Sequence, residues 1–158
     1  MVLSLGPWEV FDHYLDGGIV RVDSDAYRAY LMDRLKTARR VLTRDGARLF
    51  IPTVPCYSQP SYQLQGVDIA PIRNDPARAA VVNDVLALLA KRHDDVTLID
   101  DASWLCPGGQ EVADYNGIQL RKDGVHYTVD GGAVLWRQVL MPVIETAVTE
   151  TADDRTRV

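Results

Sequence analysis

Asp123 stands three residues before His126 in the run Arg121-Lys122-Asp123-Gly124-Val125-His126-Tyr127-Thr128. A histidine that acts as a general base needs a carboxylate on one ring nitrogen, to fix its tautomer and stabilise the imidazolium, while the other nitrogen faces a nucleophile. Asp-x-x-His on a glycine-containing turn can supply that pair locally. Four-residue matches also arise by chance as ordinary surface turns, so the surrounding sequence has to decide. No nucleophile declares itself: Ser4 falls in an apolar run, Ser24 in a helix-start position, and Ser58, Ser61 and Ser103 in loops, none of them in a Gly-x-Ser-x-Gly elbow. His13 and His93 read as a polar-turn and a helix-end histidine. The two cysteines, Cys56 and Cys106, have no clustered His or Cys companions, so no metal site is expected.

The elements that must position the dyad alternate in type. Met1 to Leu5 is an apolar, strand-like run. Ser24 or Asp23 caps a helix running to Arg44, with Tyr27, Leu31, Leu35, Ala38 and Leu42 on one face and Gly46 beyond its end. A strand is expected over Arg48 to Val54, then a Pro-, Ser-, Gln- and Gly-rich loop to Asn74. Asp75-Pro76 opens a second helix in N-cap and N1 positions, its core face being Ala79, Val82, Val85, Leu86 and Leu89. Val96 to Ile99 is the third strand. Thr128 caps a final amphipathic helix on which Val129, Ala133, Leu135, Trp136, Val139, Leu140, Val143 and Ile144 recur at helical spacing.

Such alternation predicts an α/β fold, a parallel sheet with helices on both faces, whose ligands bind beyond the carboxyl ends of the strands. Trp8 and Glu9 follow the first strand, Cys56 and Tyr57 the second, and Asp101 to Cys106 the third. The dyad precedes the last helix. One domain is expected over 1–148, with a polar, frayed tail over 149–158. Net charge is −5, pI is about 5.1 and no basic stripe interleaves with aromatics, so nucleic acid is not expected as a partner. There is no apolar run of membrane-spanning length, and no secretory signal is expected in Val2 to Leu5, which is too short for an apolar signal core and lacks a basic stretch before it.

The block Asp123-Gly124-Val125-His126-Tyr127-Thr128 resembles the last sequence block of the SGNH (GDSL-like) esterases and acyltransferases, Asp-Gly-x-His followed by an apolar residue and Thr. Three further stretches look like the extracytoplasmic SGNH domain linked to bacterial membrane O-acyltransferases. These are Gly6-Pro7-Trp8-Glu9-Val10-Phe11-Asp12, Thr53-Val54-Pro55-Cys56-Tyr57, and Ile99-Asp100 leading to Leu105-Cys106-Pro107-Gly108-Gly109. They occur in the family's order and reach from residue 2 to about residue 141. The family's opening Gly-Asp-Ser block and the glycine block after it have no counterpart here. Trp8 stands where many relatives carry an oxyanion asparagine; its indole N–H can still donate, or the ring can simply wall the pocket.

The resemblance implies a three-layer α/β/α, flavodoxin-like parallel sheet, incomplete here because the first two strands are missing. It implies ester hydrolysis or O-acyl transfer on acyl esters, often acetyl groups of carbohydrates, without a cofactor. His126 would be the general base and Asp123 would orient it. Trp8, Glu9 and Tyr57 would line the substrate pocket, and the serine would lie outside this chain. A membrane acyltransferase domain upstream and an extracytoplasmic location belong to the same expectation. Cys56 and Cys106 follow neighbouring strands, so they can form a disulfide, which an extracytoplasmic setting favours over two reduced thiols. Arg78 and Asn83, on the second helix, read as scaffold hydrogen-bonders. The strand at Val2 to Leu5 would have a bare edge, inviting homo-oligomerisation. The competing reading is an inactive SGNH-like remnant or interaction module.

Overall fold

The computed structural model describes residues 1–156, with side chains through Thr149. The chain is a mixed α/β protein. A hairpin, β1 (His13–Leu15) and β2 (Gly18–Val20), precedes helix α1 (Asp25–Leu42), and strand β3 (Leu49–Pro52) follows. A second hairpin, β4 (Gln63–Leu64) and β5 (Val67–Asp68), leads through α2 (Ala70–Arg73) to α3 (Pro76–Arg92) and β6 (Val96–Ile99). Then come α4 (Asp101–Leu105), a third hairpin of β7 (Asp114–Tyr115) and β8 (Ile118–Gln119), and α5 (Val129–Leu135). A π-helical turn over Trp136–Leu140 joins α5 to α6 (Met141–Thr156). Helix α6 thus carries the backbone through most of the expected tail, whose side chains beyond Thr149 lie outside the described residues.

Helix starts follow the expected chemistry. Ser24, Asp75 and Thr128 each accept a backbone N–H of the first turn, from Tyr27, Ala77 and Gly131 respectively. The core face expected on α3 is the buried one, residue for residue. On the last helix two assignments fail: Val129 is exposed, because it is the first residue after the cap and points away from the packed face, and Trp136 is exposed as well.

β3 and β6 pair in parallel, Leu49 opposite Val96 and Pro52 opposite Ile99. The run at Met1 to Leu5 is less of a strand than expected. It makes a single parallel bridge, Val2 to Phe50, held by Leu3 N–H to Phe50 O and Phe50 N–H to Met1 O, both 2.9 Å. From Ser4 the chain leaves the ladder for a turn in which Glu9 N–H donates to Gly6 O. Successive residues of β3 feed opposite sides of the sheet. Leu49 and Ile51 join a cluster with Tyr27, Leu31 and Leu35 of α1 and Val82, Leu86 and Leu89 of α3. Phe50, with Ile99, joins Leu105, Leu120, Leu135, Val139 and Leu140 on the other side. Asn83 ties α3 to the end of β3, its side chain bonding both the N–H and the carbonyl of Val54, and Arg78 donates to Val10 O and pairs with Asp12 at 3.0 Å. Both are scaffold contacts.

Candidate functional site

The dyad turn is built on backbone conformation. Gly124 has φ +73°, and a Cβ placed there would lie 2.5 Å from the backbone of Ser58, so only glycine fits. Ser58 N–H donates to Gly124 O, Lys122 N–H donates to His126 O, and an antiparallel bridge between Arg121 and Tyr127 closes the loop. Within it, Asp123 Oδ1 accepts from the N–H groups of Val125 and His126 at 3.1 and 2.8 Å. Asp123 Oδ2 lies 2.8 Å from His126 Nδ1. Partial burial pushes the Asp123 carboxyl up, but the bonds from the backbone and ring of His126 and the backbone of Val125 outweigh it and hold it at about 2. An ionised carboxylate only accepts, so Nδ1 carries the proton and donates it to Asp123. That leaves Nε2 as a free acceptor, and among the described residues it has no hydrogen-bond partner.

His126 lines a cleft of about 590 Å³ at the carboxyl ends of β3 and β6. Trp8 and Trp136 line it as exposed aromatic rings, and Thr53, Tyr57, Asp101 and Arg121 as largely buried polar side chains. Trp8 lies over the buried Arg73 guanidinium, 4.7 Å from the ring centroid, and its indole N–H makes no hydrogen bond among the described residues. Tyr57 is buried, which raises its hydroxyl well above the usual range, and Arg121 stacks on its ring. Glu9 does not line this cleft. Its Oε2 accepts from Gly6 N–H at 2.8 Å, which closes the turn locally and turns the carboxylate toward a separate cavity beside α1. Of the serines, Ser4 lines the cleft, with its hydroxyl directed to Leu5 O, while Ser58 bonds Glu111 and Ser103 bonds Asp100.

Cys56 and Cys106 form a disulfide, their Cα atoms 6.0 Å apart. The bridge is wired to the dyad turn through Arg121. One Nη1 of that buried guanidinium donates to Cys56 O at 2.7 Å and to Glu111 at 3.1 Å, and Nη2 reaches Tyr127 OH at 3.3 Å. The chain segment that carries Cys56, Tyr57 and Ser58 therefore supports the turn that carries Asp123 and His126.

Sequence reasoning placed Asp101 with the candidates beyond the third strand but missed Arg121 and Trp136 as cleft residues. Arg121 begins the dyad motif, so position offered a signal for it. Helical spacing puts Trp136 on the apolar face of the last helix. The π-helical turn, which rotates residues relative to a regular helix, leaves it 42% exposed and on the cleft.

Asp101 is 3% exposed, and burial pushes its carboxyl up to about 6 against hydrogen bonding from Thr53 Oγ1 at 2.8 Å. The folded-state value lies above the unfolded one, so the fold favours the protonated form. Stability is then full below about pH 4 and falls as pH rises through about 6, by roughly 3 kcal/mol. Asp101→Asn keeps the Thr53 bond and removes this loss. The variant should gain on the parent by that amount between about pH 4 and pH 8 in urea unfolding. Parallel stability profiles for the two proteins would contradict the burial of the charge.

In comparison with known proteins, no family model matches the chain and no curated protein does.

Proposed function

We propose that this chain carries the base half of an SGNH-type ester hydrolase or O-acyltransferase acting on acyl esters, acetyl esters of carbohydrates above all. The observation that carries the reading is the Asp123–His126 pair, with Nδ1 committed to a carboxylate and Nε2 free beside a cleft. In the reaction, His126 Nε2 takes the proton of a serine hydroxyl as its oxygen attacks the ester carbonyl. It then returns that proton to the departing alkoxide. Water, or an acceptor hydroxyl, repeats the cycle on the acyl-serine. Asp123 holds the tautomer and the imidazolium throughout. Oxyanion donors would supply the largest electrostatic contribution, and the indole N–H of Trp8 is one available donor.

On this reading the sheet is a flavodoxin-like one, and a strand bearing the serine packs against the open edge of residues 1–5. A membrane acyltransferase domain would lie upstream and the domain would work on the extracytoplasmic side, with the Cys56–Cys106 bridge in keeping with an oxidising compartment. Among the described residues no helix is long and apolar enough to cross a membrane. An inactive remnant is the second reading. It is favoured by the absence of any serine bonded to His126 Nε2 among the described residues.

Hydrolysis of a small acetyl ester, with fluorophosphonate labelling of activated serines, separates the two. The 158-residue chain alone should neither turn over ester nor take the label, and a version extended upstream along its own gene should do both. Labelling of Ser4 in the chain alone would show the nucleophile to be internal. Silence of the extended chain would leave the remnant reading.

A further inference from the structure

Asp101 is a buried carboxyl for which the acyl-transfer steps have no use. It stands in the first turn of α4, yet that helix is already capped by Asp100, which accepts from Ser103 N–H at 3.1 Å. Its bond from Thr53 would survive an asparagine, whose side-chain oxygen accepts equally well. No cation among the described residues pairs with it; Arg121, in the same cleft, pairs with Glu111. A carboxyl buried without a cation opposes folding, and a hydrogen-bond donor arriving from outside would offset that cost. Trp8 and Trp136, 56% and 42% exposed, line the same cleft. Aromatic rings beside a recessed acceptor fit a molecule with one apolar face and hydroxyl groups at its edge.

We propose that the Asp101 carboxyl accepts a hydrogen bond from a hydroxyl of the molecule bound in this cleft, and so selects a pyranose over an apolar group of the same size. The inference rests on the cleft being the acyl-transfer site, and it assigns the alcohol side of the ester to the floor between Thr53 and Arg121. The charged and titratable groups around the carboxyl are Arg121, Tyr57 and Tyr127, its neighbour Asp100, and His126 in the same cleft. Arg121 favours its ionised form and Asp100 opposes it.

The test is a titration of the whole chain with methyl gluco-, galacto- and mannopyranosides, followed by amide NMR shifts at cleft residues. Tetrahydropyran serves as the same ring without hydroxyls. At pH 8 one or more of the pyranosides should bind, and Asp101→Asn should weaken it by about tenfold or more, as expected for a lost bond to a charged acceptor. Tetrahydropyran binding should be alike in both proteins, and unchanged shifts outside the cleft would show that the variant is folded. Parent binding should also weaken as pH falls through about 6. That dependence should vanish in Asp101→Asn and persist in His126→Gln. Pyranoside binding by Asp101→Asn within twofold of the parent, or no pyranoside binding by the parent up to the solubility limit, would overturn the proposal. Neither result bears on the ester assay. Conversely, an esterase insensitive to His126→Ala would sink the acyl-transfer reading and leave the titration as it stands.

Discussion

His126→Ala will lower acetyl-ester turnover by the upstream-extended chain by roughly four orders of magnitude, with little change in folding stability. The size follows from the way triad members act together: without the base, the serine hydroxyl keeps its proton, and only binding and oxyanion stabilisation remain. The small structural effect follows from the position of the ring. Its side chain is 63% exposed and, among the described residues, hydrogen-bonds only Asp123, so its removal leaves no cavity and no buried orphan. Asp123→Asn should cost a similar factor by a different route. An asparagine can present its NH₂ to Nδ1, which moves the ring proton to Nε2 and makes that nitrogen a donor when it must accept. The two variants should not be additive. The pH profile carries a further expectation. Asp123 stays ionised down to about pH 2, so an acid limb of turnover above pH 4 does not come from Asp123. Turnover of His126→Ala within tenfold of the parent would show that the cleft works by some other base.

How much of this could be read from residues alone differs between the scaffold and the site. Caps and periodicity are local, so Ser24, Asp75 and Thr128 and the buried face of α3 were legible. The dyad was legible for the same reason, since both partners lie within one turn. The hairpins were not read, although Asp16-Gly17 and Asn116-Gly117 carry the strongest short signal for a two-residue turn, and both pairs do adopt positive φ. Their strands are only two or three residues long, too short for an alternating pattern to emerge. Glu9 was placed in the pocket because it follows the first strand, but a carboxylate one turn after a free N–H closes that turn first. What escaped notice in Asp101 and Arg121 was their burial, because burial of a charge is a property of the assembled fold. Neither residue's neighbours in sequence announce that β3, β6 and the dyad loop converge on it. The disulfide lies between these cases. Each cysteine's place after a strand was visible, and only the adjacency of β3 and β6 brings the two together.

The adjacent glycines at the start of α5 should respond to alanine with opposite signs. Gly131 is buried against the strand end before the dyad loop, and a Cβ there would lie 2.2 Å from Leu120 O and 2.7 Å from Leu120 Cα. Both obstacles are backbone. Leu120 cannot retreat, because its side chain is fully buried, its carbonyl accepts from Thr128 N–H at 3.0 Å, and its N–H donates to Ala113 O. Relief therefore requires the first turn of α5 to lift off Leu120, which breaks the Thr128 cap and shifts the bridge between Arg121 and Tyr127 that frames the dyad. Overpacking of this rigid kind should cost more than about 3 kcal/mol. Gly132, one residue on, has only Tyr127 Cβ at 3.8 Å from the corresponding position, an ordinary contact. Its backbone is helical, so Gly132→Ala should stabilise by roughly 0.5 to 1 kcal/mol through helix propensity and a smaller unfolded ensemble. Chemical unfolding of the two single variants measures both effects. The contrast is demanding because composition and helix change identically in the two proteins; what differs is the burial of the position against Leu120. Equal shifts of the same sign would mean that α5 does not rest on Leu120, and with that contact would go the account of how the final helix holds the Asp123–His126 turn against the cleft.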